Sequence, residues 1–298
     1  MMKFKQKTLD MFYGSEFQPI EPFNTQLLKW IGNKQRFAHE IVSYFPTDIR
    51  TYYEPFLGSG AVLAVLQPQN AIGSDLFGPL VEIWRMLASN PEELVQWYRT
   101  RYKEYYEFEK PEGYERIKAR YNSNPNGADF LFICRSCYGG VVRFRKSDGY
   151  MSTPCGVHKP ITPGSFAQRV QIWKRRTAGA TFEKMDFGEA MKRAQHGDLI
   201  YCDPPYTHSQ AILYQGQGFR LARLMREIAL CKERGVRVAL SIDGKKKSGQ
   251  VNCHLDIPDG LFEREVFVNC GRSMLRRFQR EGQSLEDEVV HDRLLLTY

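Results

Sequence analysis

Residues 50–66 read Arg50-Thr51-Tyr52-Tyr53-Glu54-Pro55-Phe56-Leu57-Gly58-Ser59-Gly60-Ala61-Val62-Leu63-Ala64-Val65-Leu66. The pattern is strand, glycine turn, helix. Two glycines let backbone approach a ligand closely, and the helix start presents free amide donors to a carboxylate. In isolation a Gly-x-Gly is weak evidence, and a plain strand-to-helix turn explains it equally. The third glycine of the dinucleotide fingerprint is missing, which argues against a nicotinamide or flavin site. Working outward, Ala71-Ile72-Gly73-Ser74-Asp75 is a second apolar segment ending in an acid. An acid there suits a ribose diol, and the whole is a βαβ start.

Further along, Leu199-Ile200-Tyr201-Cys202 reads as a buried strand and runs into Asp203-Pro204-Pro205-Tyr206. Paired prolines continue neither a ladder nor a helix, so the chain turns there. The turn leaves a carboxylate, a rigid carbonyl and an aromatic ring at the carboxyl end of a strand, where open α/β sheets bind ligands. That set suits a planar heterocycle with an exocyclic amino group; an ordinary Pro-containing turn is the bland alternative.

Taken together, these residues resemble the Dam-like (D12, alpha-group) N6-adenine DNA methyltransferases. Leu28-Lys29-Trp30-Ile31-Gly32-Asn33-Lys34 resembles that class's amino-terminal cofactor motif, Glu54 to Gly60 its glycine loop, and Asp75 its ribose-binding acid. Phe130 to Pro154 resembles the segment with its recognition hairpin, and Asp203 to Tyr206 its catalytic tetrapeptide. Met185-Asp186-Phe187 and Val238 to Asp243 are weaker matches. The stretch Thr207 to Tyr214 departs from the Dam pattern and looks more like methyltransferases of type IIS restriction–modification systems, so a palindromic GATC target is not implied.

The resemblance implies a class I S-adenosylmethionine-dependent methyltransferase fold. This is a doubly wound, mostly parallel sheet interrupted by a mainly helical target-recognition insert with a β-hairpin. The expected division is a tail over 1–24, a catalytic domain over 25–80 and 181–298, and an insert over 81–180. Implied for cofactor binding are Trp30, Lys34, Glu54, Pro55, Phe56, Gly58, Gly60, Asp75, Asp186 and Phe187, with Glu54 toward the methionine ammonium. Asp186 is equally readable as an ordinary cap before a helix at Phe187. Asp203, Pro204, Pro205 and Tyr206 are the implied catalytic set. Two oxygens, from Asp203 and Pro204, would hold the amine of a flipped adenine while Tyr206 stacks on the ring. No metal or covalent nucleophile is needed.

Arg143-Phe144-Arg145-Lys146 precedes the turn signal Asp148-Gly149 and is expected to form a ribbon reading duplex DNA, Phe144 serving as a wedge in the base stack. A solvated basic loop touching only phosphates is the alternative. Basic clusters at 173–176, 245–247 and 272–280 read as solvated faces or phosphate grips. The 298 residues carry a formal net charge of +8, consistent with a polyanionic partner. No apolar run is long enough to span a bilayer, so a soluble, cytoplasmic protein without membrane contact is expected. Cys134-x-x-Cys137 and Cys155-x-x-His158 have zinc-like spacing, but the first pair sits in an apolar, helix-like stretch, so reduced thiols without zinc are expected. Residues 6–13 resemble a sliding-clamp-binding motif, and a cognate restriction endonuclease is a further candidate partner. The functional alternatives are N4-cytosine methylation, a DNA-binding protein without turnover, and methylation of RNA or protein glutamine.

Overall fold

The computed structural model describes residues 20–205, 220–243, 257–272 and 289–298. Tyr206, the 6–13 motif, the departing stretch after the tetrapeptide and the basic cluster 245–247 lie outside the described residues, as does nearly all of 272–280.

Seven strands form one sheet: β1 Tyr52–Glu54, β2 Ala71–Asp75, β3 Ala180–Lys184, β4 Leu199–Cys202, β5 Arg237–Asp243, β6 Arg264–Arg272 and β7 Val289–Leu296. Their order is β3-β2-β1-β4-β5-β7-β6. All neighbours pair in parallel except β7, which runs antiparallel to both β5 and β6. Chain order moves outward from β1 through β2 to β3, then returns to the other side of β1 at β4. That reversal is a topological switch point, and the crevice at the strands' carboxyl ends there is where such sheets bind ligands. Glu54 ends β1 and Asp203 follows β4, so both stand at this crevice.

Alternation along the central strands supplies two buried faces. Tyr52, Leu199, Tyr201 and Ala239 belong to one packed cluster, and Tyr53, Ile200, Cys202, Val238 and Leu240 to the other. The second face is covered by α8 Phe187–Arg193 and α9 Leu221–Glu233. On the first lie α1 Ala38–Val42 and α2 Ala61–Leu66, joined by the helices between β2 and β3: α3 Gly78–Ser89, α4 Pro91–Glu107, α5 Glu112–Ser123, α6 Gly127–Ser136 and α7 Pro163–Arg176. The aromatic run of this stretch is mostly packing. Trp84 and Tyr98 are fully buried, and Tyr98 stacks on Phe166 with centroids 4.3 Å apart.

One expectation changes, and Asn33 is not the helix cap that its place before Phe37, Ile41 and Val42 suggests: α1 starts only at Ala38, without a side-chain cap. The Asn33 carboxamide oxygen instead accepts from the Gln35 amide (2.7 Å) and the Ser59 hydroxyl (3.2 Å), tying this segment to the glycine loop. The cluster at 173–176 is not simply a solvated basic face. Trp173 is buried and donates to the Thr25 carbonyl at 2.8 Å. Arg176 donates to Ala64 in α2 at 3.0 Å, and Lys174 donates to Ala88 in α3. Both cations satisfy carbonyls near helix C-termini, where positive charge is favoured.

Candidate active site

The carboxyl ends of β1 to β4 open on a cavity of about 910 Å³, within the usual range for ligand pockets. The glycine loop supplies Glu54, Pro55, Phe56 and Gly58; Trp30 and Lys34 come from the segment before α1. Asp75 after β2, Asp186 and Phe187 after β3, and Asp203, Pro204 and Pro205 after β4 complete the strand-end wall. The opposite wall comes from the stretch between β2 and β3, through Tyr121, Asn122, Phe144 and Tyr150. Gly60 is not part of the lining. It starts α2 with φ of +61°, and a Cβ there would sit 3.1 Å from the Trp84 indole. Its reasons are turning and packing. Gly58 has a different reason to be glycine: a Cβ would lie 2.8 Å from Trp30 Nε1, so its bareness lets the indole lie on the loop.

Each acid is held by its own set of donors. Glu54 is buried, accepting from the Tyr52 hydroxyl (2.8 Å) and the Leu63 amide in the first turn of α2 (3.0 Å). It thus supplies the helix cap that Gly60 lacks, and occupies one of the amides expected to be free. Burial pushes its carboxyl up to about 8; the Tyr52 hydroxyl opposes that, the charge of Asp203 adds to it, and the Leu63 amide opposes. Asp75 accepts from the Phe77 amide (3.0 Å) and the Gly58 amide (3.2 Å), strapping the loop to the end of β2. Burial raises its carboxyl above the ordinary value despite those amides. Asp186 caps α8 through the Gly188 amide at 2.9 Å and holds the Arg223 guanidinium through both oxygens, so the cap and the cavity wall are the same residue. Burial would raise its carboxyl, but Arg223 and the amides outweigh that and hold it below the usual range. Beside it, Phe56 and Phe187 stack with centroids 5.2 Å apart and planes 27° apart, a platform for a planar ring.

The fourth acid belongs to a charge triad. Lys34 Nζ lies 3.0 Å from Asp203 Oδ1 and 3.1 Å from Asp292 Oδ2. Burial alone would pull the ammonium's pKa down, but Asp203, Asp292 and Tyr201 outweigh it and hold it above the ordinary lysine value. Lys34 was expected to serve the cofactor; the structure also ties it to the acid of the tetrapeptide.

The hairpin forms, with Phe144 and Met151 as a bridge pair and Arg145 donating its amide to Tyr150 at 2.9 Å. Arg143, Arg145 and Lys146 are exposed, and the Arg145 guanidinium lies 4.1 Å from the Tyr150 ring centroid. Phe144 departs from the expected wedge. The hairpin turns it inward, 5% exposed, edge-on to Phe77 with centroids 5.7 Å apart. Cys134 and Cys137 are buried thiols, Cys155 is half-buried against the Tyr105 hydroxyl, and no described group of three or more His, Cys, Asp or Glu is placed to hold a metal ion. Among the described residues no helix is long and apolar enough to cross a membrane.

Sequence reasoning missed Arg223, Asp292 and Leu76, which lines the cavity while 62% exposed. For Asp292 a signal existed, an acid inside the otherwise strand-like run Val289 to Leu296. Arg223 offered none, being one of two arginines on α9.

A family model for the D12 class N6 adenine-specific DNA methyltransferases matches residues 30–254, three quarters of the chain. The chain belongs to this family. It is similar to a DNA adenine methylase of Vibrio cholerae serotype O1, 30% identical over 231 residues that cover 72% of this chain and 79% of that protein. It is also similar to the DNA N-6-adenine-methyltransferase of Escherichia phage P1, 26% identical over 92% of this chain and 36% of that protein. A type II methyltransferase of Lactococcus lactis subsp. cremoris is 27% identical over 63% of this chain and 66% of that protein. As a member of the D12 class the protein is a DNA adenine-N6 methyltransferase. The matched span runs from Trp30 past Asp203 and takes in every acid described above except Asp292.

Proposed function

We propose that this D12-class enzyme takes its methyl group from S-adenosylmethionine and delivers it to an adenine swung out of duplex DNA, both molecules occupying the one cavity. The observation that carries this is continuity: the acids ending β1 and β2 share about 910 Å³ with the Asp203-Pro204 turn. The lining fits the donor. Glu54 would face its ammonium, Asp75 its ribose diol, and Phe56, Phe187 and Asp186 its adenine ring. When bound, the donor supplies an already activated methyl group on a sulfonium, so the protein's task is placement and electrostatics.

The amine of adenine is a poor nucleophile because its lone pair is delocalised into the ring. Two acceptors on its hydrogens, the Asp203 carboxylate and the Pro204 carbonyl, draw the nitrogen toward a tetrahedral form. As nitrogen gains its bond to carbon, the bond from that carbon to sulfur would break and a neutral thioether leave, while the nitrogen sheds a proton toward the Asp203 side. Lys34, held protonated, is not the acceptor. Tyr206 would stack on the flipped base, offsetting part of the few kcal/mol that unstacking costs.

The stretch 81–180 is proposed as the DNA reader, with 25–80 and 181–298 as the catalytic part. What supports this is the exposure of Arg143, Arg145 and Lys146 on a hairpin whose other side walls the cavity. The similarity to a type II methyltransferase supports a companion endonuclease of the same specificity, and action on DNA supports a cytoplasmic location.

Asp203→Ala tests the catalytic assignment. Methyl incorporation into duplex DNA should fall at least about a hundredfold while DNA affinity stays within twofold. Undiminished incorporation ends the assignment. Mass spectrometry of the digested product should show N6-methyladenine and no N4-methylcytosine.

A further inference from the structure

We propose that Asp292, near the far end of the chain, is a positioning residue for methyl transfer, acting on Asp203 through Lys34. Asp292 lies in β7, outside the span of the family match. The antiparallel register sets it opposite Asp243 of β5 and Val268 of β6, at the end of the sheet that carries the cavity. Its carboxylate is nearly buried, 11% exposed, and reaches the Lys34 ammonium at 3.1 Å. The Lys34 side chain is 7% exposed, and its ammonium also reaches Asp203 at 3.0 Å.

An ammonium carries three donors on a compact head. With Asp203 as its only carboxylate neighbour it would settle on that acid and draw away the electron density the adenine amine needs. Asp292 competes for the same ammonium and limits how far it can settle on Asp203. The three charges sum to −1, which suits a nitrogen becoming positive as it bonds to carbon. Burial matters because fields in a water-poor site are weakly screened. The Phe37 ring centroid lies 5.8 Å from Lys34 Nζ, and Tyr201 adds to the field that keeps the ammonium charged.

The inference rests on Asp203 being the catalytic acid, and the test keeps the two apart. Full-length Asp292→Asn, Asp292→Glu, Lys34→Met and Asp292→Asn/Lys34→Met proteins are compared in single turnover, with enzyme in excess and donor saturating. Asp292→Asn should lower the methyl-transfer rate roughly tenfold, in the range measured for coupled neighbours. Dissociation constants for DNA and donor, and the melting temperature, should stay close to those of the parent protein. Asp292→Glu should recover part of the rate. In the Lys34→Met background the Asp292→Asn change should cost less than about twofold, because the coupling is already gone.

An unchanged rate in Asp292→Asn, or full additivity with Lys34→Met, overturns the proposal. So does a rate loss accompanied by equal losses in melting temperature and both affinities, which is what a purely structural role produces. Failure of the relay with Asp203→Ala still inactive condemns Asp292 alone; an active Asp203→Ala condemns the catalytic reading itself.

Discussion

Glu54 couples the glycine loop to the acidity of the solution. Burial pushes its carboxyl up to about 8, which favours the protonated form at neutral pH. The proposed donor ammonium beside it would favour the ionised form, so binding should expel a proton over the pH range between the carboxyl's pKa with and without the ligand. Apparent affinity for the sulfonium donor should therefore rise about tenfold from pH 6 to pH 7 and flatten near pH 8, where the ligand's own amine begins to lose its charge. Calorimetry in buffers of differing ionisation enthalpy should count close to one proton released at pH 7. Glu54→Gln should abolish both the release and the slope, and a parent affinity flat across this range would remove Glu54 from the ammonium site. The same shift has a stability sign. A folded-state pKa raised above the unfolded value for an acid means the folded chain binds the extra proton. Its contribution is thus most favourable below about pH 4.5 and declines as pH rises toward 8.

At the scale of elements, the chain's glycines and buried ions separate structure from chemistry. Gly60→Ala puts a Cβ into left-handed backbone against the Trp84 indole. It should cost about 1–3 kcal/mol in urea unfolding, with the donor constant moved only through folding. An unchanged unfolding midpoint would contradict the packing role. Asp129, fully buried at the start of α6, receives Arg101 at 2.9 Å and Arg120 at 2.7 Å, and these cations join α4, α5 and α6. Burial opposes its charge, yet the bonds from Arg120, Asn126 and Arg101 prevail and hold its carboxyl below the usual range. That stabilisation is present above the unfolded carboxylate pKa and is lost as pH falls through the folded one. Asp129→Ala would take from Arg101 and Arg120 their shared buried partner while Arg120 keeps Glu104, an expected loss of about 1–3 kcal/mol by chemical denaturation. A loss below 1 kcal/mol would show that the arginines reach water instead.

For the molecule as a whole, a charge of +8 and an exposed basic hairpin make DNA affinity a function of salt. Each phosphate contact removed should lower the slope of log affinity against log salt by about 0.9. Arg145→Ala and Lys146→Ala should each do so while keeping sequence preference. Arg143→Ala should relax the preference at one position of the site, at a cost of about 1–3 kcal/mol. Equal slopes in all three variants would place DNA on another face.

Much of this protein is legible in the chain itself. The strand-turn-helix at 50–66, the acid ending β2 and the proline-stiffened turn after β4 are local signals: periodicity, a glycine at positive φ, a residue that cannot donate. Local signals are set by neighbours in sequence, so they survive without a fold. What the fold alone decided is which distant groups share a charge. Phe144 turned inward because the hairpin places its ring against Phe77, and Lys174 and Arg176 found helix ends rather than phosphate. Lys34 and Asp292 stand 258 positions apart and meet only because β7 enters the sheet between β5 and β6. A Coulomb interaction depends on distance through space, and no spacing along the chain encodes it.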